Sequence, residues 1–255
     1  MGVKVDFQEA TAVITIDDPG RRNPLSVETM AELLDATRRA LADRDVRVLV
    51  YTGAGDVFSA GGDLSGSFAD DAIGLHRERG LLADLFRAMR GGGKPTVARV
   101  NGHALAGGFG LAAVCDITIA VDDARLGVPE INVGLWPMMI SAVLTRVMPP
   151  KIVLEMMLTG RVISAEEAQR LGAVSRVVTR DQLDTAVDEV VASLVSRSAA
   201  VLALGRDSFY AMADTDFDTA LDRLQGGLTA VMSTEDAVEG VTAFIEKREP
   251  RWTGR

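Results

Sequence analysis

The chain has 255 residues, 47% of them hydrophobic and 25% charged, with a formal net charge of −9. That is an ordinary globular composition with ample core, enough for one large domain or two smaller ones. The acidic balance speaks against a general nucleic-acid surface, and the single cysteine, Cys115, excludes a disulfide framework or a cysteine metal cluster.

Val3 to Phe7 and Ala12 to Ile16 read as two strands of a hairpin. Asp17 to Pro24 is a loop by composition, and Ser26 is an N-cap that opens a helix through about Ala42. Val46 to Thr52 is an almost continuous apolar run, which predicts a strand buried on both faces. A short piece, Val57 to Leu64, runs into a glycine turn, and Ser65 to Asp71 reads as a polar loop. Ile73 to Met89 has helical periodicity and ends in the glycines before Lys94. Met1 to Gln8 lacks a signal-like apolar core, and no apolar run approaches membrane-spanning length, so a cytoplasmic enzyme or binding protein is expected.

The segment Val100 to Asp116 lies between two buried strands, Thr96 to Val100 and Ile117 to Val121. It carries Gly107, Gly108 and Gly110, then a helix-forming run, Leu111 to Val114. Strand, glycine turn and helix start predict free backbone N–H groups, suited to a phosphate or to an oxyanion formed during a reaction. Further on, Arg125 to Val128 is extended and Pro129 to Gly134 irregular; helices begin near Trp136 and at Lys151. Ser164 opens a capping box and Ala173 to Val178 is a strand. From Asp181 to Arg248 the pattern is helical, with breaks near Ser198, Asp214 and Ser233. No internal repeat is visible in the sequence.

Three stretches occur in order: Phe58-Ser59-Ala60-Gly61-Gly62-Asp63-Leu64; Asn101-Gly102 with Leu105-Ala106-Gly107-Gly108; and Leu126-Gly127-Val128-Pro129-Glu130. Together with Phe244-Ile245-Glu246-Lys247-Arg248 near the end, they resemble the crotonase family, the enoyl-CoA hydratase/isomerase superfamily, over essentially the whole chain. The resemblance implies an α/β spiral of β-β-α units at 1–197 carrying the acyl-CoA site, and a C-terminal helical region at 198–255 that builds trimers or dimers of trimers. It implies an acyl-CoA thioester as substrate, in fatty-acid or related acyl-CoA metabolism. Coenzyme A enters as part of that substrate, and no separate cofactor, metal, nucleic acid or membrane is expected. Gly62 and Gly107 would supply the two N–H groups that hold a thioester enolate. Substrate contacts carried over in the same way are Ala60, Asp63, Leu64, Ser65, Gly108, Trp136 and Phe244. Ser65 stands where members often carry a lysine, and Arg22 or Lys247, the latter from a neighbouring subunit, could replace its phosphate contact.

Hydratases that this chain resembles use two glutamates. The position of the first is Gly110, and that of the second is Glu130. One carboxylate can still take a proton from C2 and return it at C4, which is the 3-enoyl to 2-enoyl isomerisation. For that work Glu130 needs an apolar pocket, for which Ile131, Val133, Leu135, Trp136 and Met138 are candidates. Asp70 and Asp71 could replace the missing acid but read more simply as a helix cap. His76 could face the acyl pocket and His103 could orient the glycine loop. Met138-Met139-Ile140 is either pocket wall or core. Ser59 has no evident histidine partner for a hydrolase triad. The alternatives are a nucleotide site at Gly108 to Ala113, a non-catalytic acyl-CoA-binding protein, and another crotonase-type lyase or hydrolase.

Overall fold

The computed structural model describes residues 2–63 and 72–255, apart from the side chains of Ala72 and Leu75. β1 (Gly2–Gln8) and β2 (Thr11–Asp17) form the antiparallel hairpin that their alternation predicts. A 3-10 turn at Pro19–Arg21 leads into β3 (Pro24–Leu25), and α1 (Val27–Ala42) follows. Ser26 caps α1, its Oγ accepting the Thr29 N–H at 3.1 Å.

Next come β4 (Val48–Gly53), β5 (Val57–Ser59), β6 (Gly61–Gly62) and α2 (Ala72–Gly91). β7 (Thr96–Val100), β8 (His103–Leu105) and α3 (Gly107–Val114) repeat that order, as do β9 (Ile117–Val121), β10 (Arg125–Gly127) and α4 (Met138–Val147). α5 (Pro150–Thr159), β11 (Val162–Ser164), α6 (Ala165–Leu171), β12 (Arg176–Val178) and α7 (Leu183–Val195) complete the core.

The strands form a six-stranded sheet, β1-β2-β4-β7-β9-β12, and a four-stranded one, β11-β10-β8-β5; β3 and β6 make a parallel pair of their own. Beyond the hairpin the larger sheet is parallel throughout. Each of three passes sends its first strand into the larger sheet and its second into the smaller, then returns through a helix. This is the β-β-α spiral that the resemblance implies. The repeat lies in connectivity alone, which is why the sequence shows none. All six residues of β4 are buried, in keeping with its place inside the larger sheet.

α8 (Ala199–Met212), α9 (Phe217–Met232) and α10 (Glu235–Glu246) pack mainly on one another. α8 is also tied to the core. Asp116, which ends the glycine segment, accepts from Arg206 Nε at 2.8 Å and from the Tyr210 hydroxyl at 2.5 Å. Arg206 donates as well to the carbonyls of Arg90 and Met89. Among the described residues, no helix is long and apolar enough to cross a membrane.

The elements differ from those expected in three respects. The short strands β3, β6, β8 and β11 are not predicted, because two or three residues carry no period; at β6 a glycine turn is expected instead. The strand expected over Ala173 to Val178 shortens to Arg176–Val178. And α3 begins at Gly107, so the glycines form its first turn rather than a turn ahead of it. The residue of that segment with a positive φ is Ala106 (φ 50°).

Candidate active site

The two glycine motifs meet through Leu25. In the β3–β6 ladder Leu25 stands opposite Gly62, and a Cβ built on Gly107 would lie 3.1 Å from Leu25 Cδ1. β6 also rests on the entrance to α3: a Cβ on Gly61 (φ 97°) would lie 2.5 Å from Ala106 Cβ and 2.9 Å from the Leu105 carbonyl oxygen. Only glycine allows that approach.

Gly107 opens α3. The Ala106 carbonyl accepts the N–H groups of Phe109 and Gly110, at 3.0 and 3.2 Å. Among the described residues, the Gly107 and Gly108 N–H groups have no acceptor, as the first turn of a helix leaves them. Gly108 is buried with its Cα side against Ser59, where a Cβ would meet backbone and side chain at 2.7 Å. Gly62 is exposed, with open space where its Cβ would be.

Glu130 sits in a 3-10 turn, Pro129–Val133, which Gly134 ends in the left-handed conformation. Its side-chain Oε2 is buried and, among the described residues, has no hydrogen-bond partner. Burial raises its pKa above the ordinary glutamate value of 4.5. Ile131, Leu135 and Trp136 are half-buried, but Val133 and Met138 are exposed, contrary to the expected pocket wall. Val133 ends that turn and Met138 opens α4, and both face outward.

Gly110 lies one turn beyond Gly107 on α3, on the same side of the helix. A Cβ there would lie 2.2 Å from Ile140 Cγ2 and 3.2 Å from Phe86 Cζ. Of the Met138-Met139-Ile140 run, therefore, Ile140 is core against α3 and Met138 is exposed.

Arg22 and Ala60 line a cleft of about 450 Å³, together with Leu105, His103, Asp123 and Arg180. Among the described residues the Arg22 guanidinium has no carboxylate partner. Arg180 is held by both Asp123 oxygens at 2.9 Å and by the Asn101 carbonyl at 2.8 Å. No sequence signal marks Arg180. Asp63 is paired with Arg21 at 3.1 Å, and Arg21 also pairs with Asp18 at 2.7 Å; the adjacent Arg21-Arg22 was the available hint.

Phe244 and Lys247 do not line this cleft. They lie on α10 and at its end, Phe244 with 84% of its surface exposed and Lys247 in the left-handed conformation. His76 is exposed on α2, and the exposed His103 uses Nδ1 to accept the Arg125 N–H at 3.2 Å. Ser59 Oγ accepts the Gly61 N–H at 3.1 Å. Cys115 is buried, and burial pushes its thiol pKa up. Leu64, Ser65, Asp70 and Asp71 lie outside the described residues. The Gly108 to Ala113 pattern is helical throughout, so it is not a phosphate-binding turn between strand and helix.

A sequence profile of the enoyl-CoA hydratase/isomerase family matches residues 6–255. The chain is 34% identical over 247 residues to the mitochondrial enoyl-CoA hydratase domain-containing protein 3 of Rattus norvegicus, covering 96% of this chain and 82% of that one. It is 34% identical over 248 residues to the carnitinyl-CoA dehydratase of Escherichia coli, with 95% and 94% covered. The crystal structure of an enoyl-CoA hydratase from Mycobacterium smegmatis superimposes with a TM-score of 0.94 at 34% identity, over 98% of both chains.

Proposed function

The chain belongs to the enoyl-CoA hydratase/isomerase family, and within it we propose that this protein is a Glu130-dependent isomerase converting 3-enoyl-CoA to 2-enoyl-CoA. The observation that carries the proposal is the buried Oε2 of Glu130, which has no partner among the described residues. A carboxylate with a free oxygen in a desolvating site has a raised proton affinity, which suits it to take a substrate proton.

The reaction balances with one acid/base group. The Glu130 carboxylate takes a proton from C2, and the electron pair moves onto the thioester oxygen as an enolate conjugated with C3=C4. The Gly62 and Gly107 N–H groups stabilise that oxygen. The same carboxyl group then returns its proton at C4, leaving the double bond at C2=C3. One such N–H donor is commonly worth about 3–4 kcal/mol of barrier. Hydration by the two-glutamate route would also need a second group to hold and split a water. The Ile140 methyl group fills the space at Gly110 where that group would stand, which favours isomerisation.

Arg22, which lines the cleft beside Ala60 and has no carboxylate partner among the described residues, is the proposed contact for the anionic end of coenzyme A. Phe244 and Lys247 reach a site only from a neighbouring copy in this proposal. The exposed apolar residues Phe217, Leu228, Met232, Val238 and Ile245 on α9 and α10 support self-association into a trimer or a dimer of trimers.

The second reading is hydration or dehydration with a single glutamate. The names of the relatives favour it, a hydratase and a dehydratase among them. A parallel assay of 3-enoyl-CoA and 2-enoyl-CoA separates the two, reading double-bond shift against water addition. Faster hydration than isomerisation reverses the order. Unchanged turnover in Glu130→Gln removes both readings, whereas a wild-type protein that binds acyl-CoA and turns over neither substrate is an acyl-CoA-binding protein.

A further inference from the structure

Both arms of the proposed donor pair are tied to one turn. Residues 53–57 join β4 to β5, and two buried asparagines grip them. Asn23, 0% exposed, donates its Nδ2 to the carbonyls of Ala54 at 2.9 Å and Val57 at 2.6 Å, while its Oδ1 accepts the Asp18 N–H at 3.0 Å. Asn101, 3% exposed, accepts the Gly53 N–H on Oδ1 at 3.2 Å and donates Nδ2 to the Gly55 carbonyl at 2.7 Å.

Each asparagine leads into one arm. Asn23 immediately precedes β3, the ladder partner of Gly61 and Gly62, and the Arg22 carbonyl just before it accepts the Ala60 N–H at 2.9 Å. Asn101 stands just ahead of β8, which runs through Ala106 into Gly107. Backbone strain gathers at the same places. Of the five non-glycine residues with positive φ among those described, three stand here: Arg22 (φ 64°) and Asn23 (φ 54°) precede β3, and Ala106 (φ 50°) precedes Gly107. Such conformations persist only where the surroundings over-determine them.

We infer that Asn23 and Asn101 are positioning residues which, by gripping the same 53–57 turn, set the spacing between the Gly62 and Gly107 N–H groups. The inference rests on the proposed function for the role of that pair. Neither asparagine lines the cleft. An oxyanion needs both donors at hydrogen-bond distance at once, and a misplacement of about 1 Å can cost about a hundredfold in rate.

The test uses N23D and N101D in the full chain, with N23S and N101S as milder changes should an aspartate prevent folding. Aspartate keeps the shape but sets a second acceptor against the turn carbonyls. Turnover of 3-enoyl-CoA per folded molecule should fall about ten- to a hundredfold, with CoA affinity changed less than about twofold. The double variant should be no slower than the slower single one. In glycine-labelled protein, N23D should shift the amide resonance of Gly107, on the other arm, and N101D that of Gly62. Unmoved cross-arm resonances, or losses that multiply in the double variant, overturn the clamp. A wild-type protein that turns over no acyl-CoA would end the proposed reaction instead, while the resonances would still decide whether the clamp exists.

Discussion

Ile140 occupies the space that a side chain at Gly110 would need, with its Cγ2 2.2 Å from where the Cβ would be. Glycine within a helix normally costs up to about 1 kcal/mol against alanine. At this position packing should win over propensity. Gly110→Ala forces Ile140 on α4 and Phe86 on α2 to move, and overpacking of this kind costs about 1–3 kcal/mol. Urea unfolding should show Gly110→Ala less stable than wild type, and a more stable variant would contradict the packing. The reciprocal change tests the chemistry. Gly110→Glu alone should be destabilised and add no water to 2-enoyl-CoA; paired with Ile140→Gly it should recover stability and gain hydration.

Glu130→Gln should lower the isomerisation kcat by about a hundred- to ten-thousandfold, the usual range for losing a positioned acid/base group. Its stability should move the other way, and only at neutral pH. The folded pKa lies above 4.5, so between the unfolded and folded values the native state holds more protons than the unfolded state. Wild-type stability therefore falls as pH rises through that window, because the buried carboxylate must ionise. Thermal melts should show Glu130→Gln stabilised over wild type at pH 7, and the gain should vanish below pH 4.5. A gain of the same size at both values would mean that the effect is not ionisation.

What could be read from the sequence followed local chemistry. Ser26 and Ser164 were legible as caps because the cap bond is a short-range matter, and each accepts the N–H three residues on. The roles proposed for Glu130, Gly62 and Gly107 rest on motif resemblance. The use made of Gly108 and Gly110 was not legible. Both look like turn glycines, but each is small because another element, Ser59 or Ile140, lies against it. Contacts of that kind come from tertiary packing and leave no local period. Asn23 was hidden for the same reason: within Arg21 to Pro24 it reads as one more loop asparagine, and its partners Ala54 and Val57 lie on another turn.

Arg22→Ala should weaken CoA binding and leave the chemical step alone. The guanidinium is exposed, so solvent screens its charge. A loss of about three- to tenfold in affinity is expected, less than a buried charge-assisted bond would give. Calorimetric titration with CoA checks it: the difference between variant and wild type should shrink at high salt, while kcat at saturation stays unchanged. A fall in kcat with affinity intact would instead point to a disturbed Arg22–Ala60 backbone contact.

The Arg206–Asp116 pair tests how the helical tail is held. Arg206 is nearly buried and serves Asp116 and two carbonyls at the end of α2. Asp116 also takes the Thr96 N–H at 2.7 Å and the Tyr210 hydroxyl, so one carboxylate joins β7 to α8. Removing one partner of a buried pair leaves the other charge uncompensated, at a cost of about 3–5 kcal/mol. Arg206→Met should lose about that much in urea unfolding, and Arg206→Met with Asp116→Asn should recover part of it, since the stranded charge is then gone. If α8 depends on this pair, Arg206→Met should also raise amide exchange along 199–212 above that of the sheet. A loss under about 1 kcal/mol, with exchange unchanged, would mean that apolar contacts of α8 hold the tail without the ion pair.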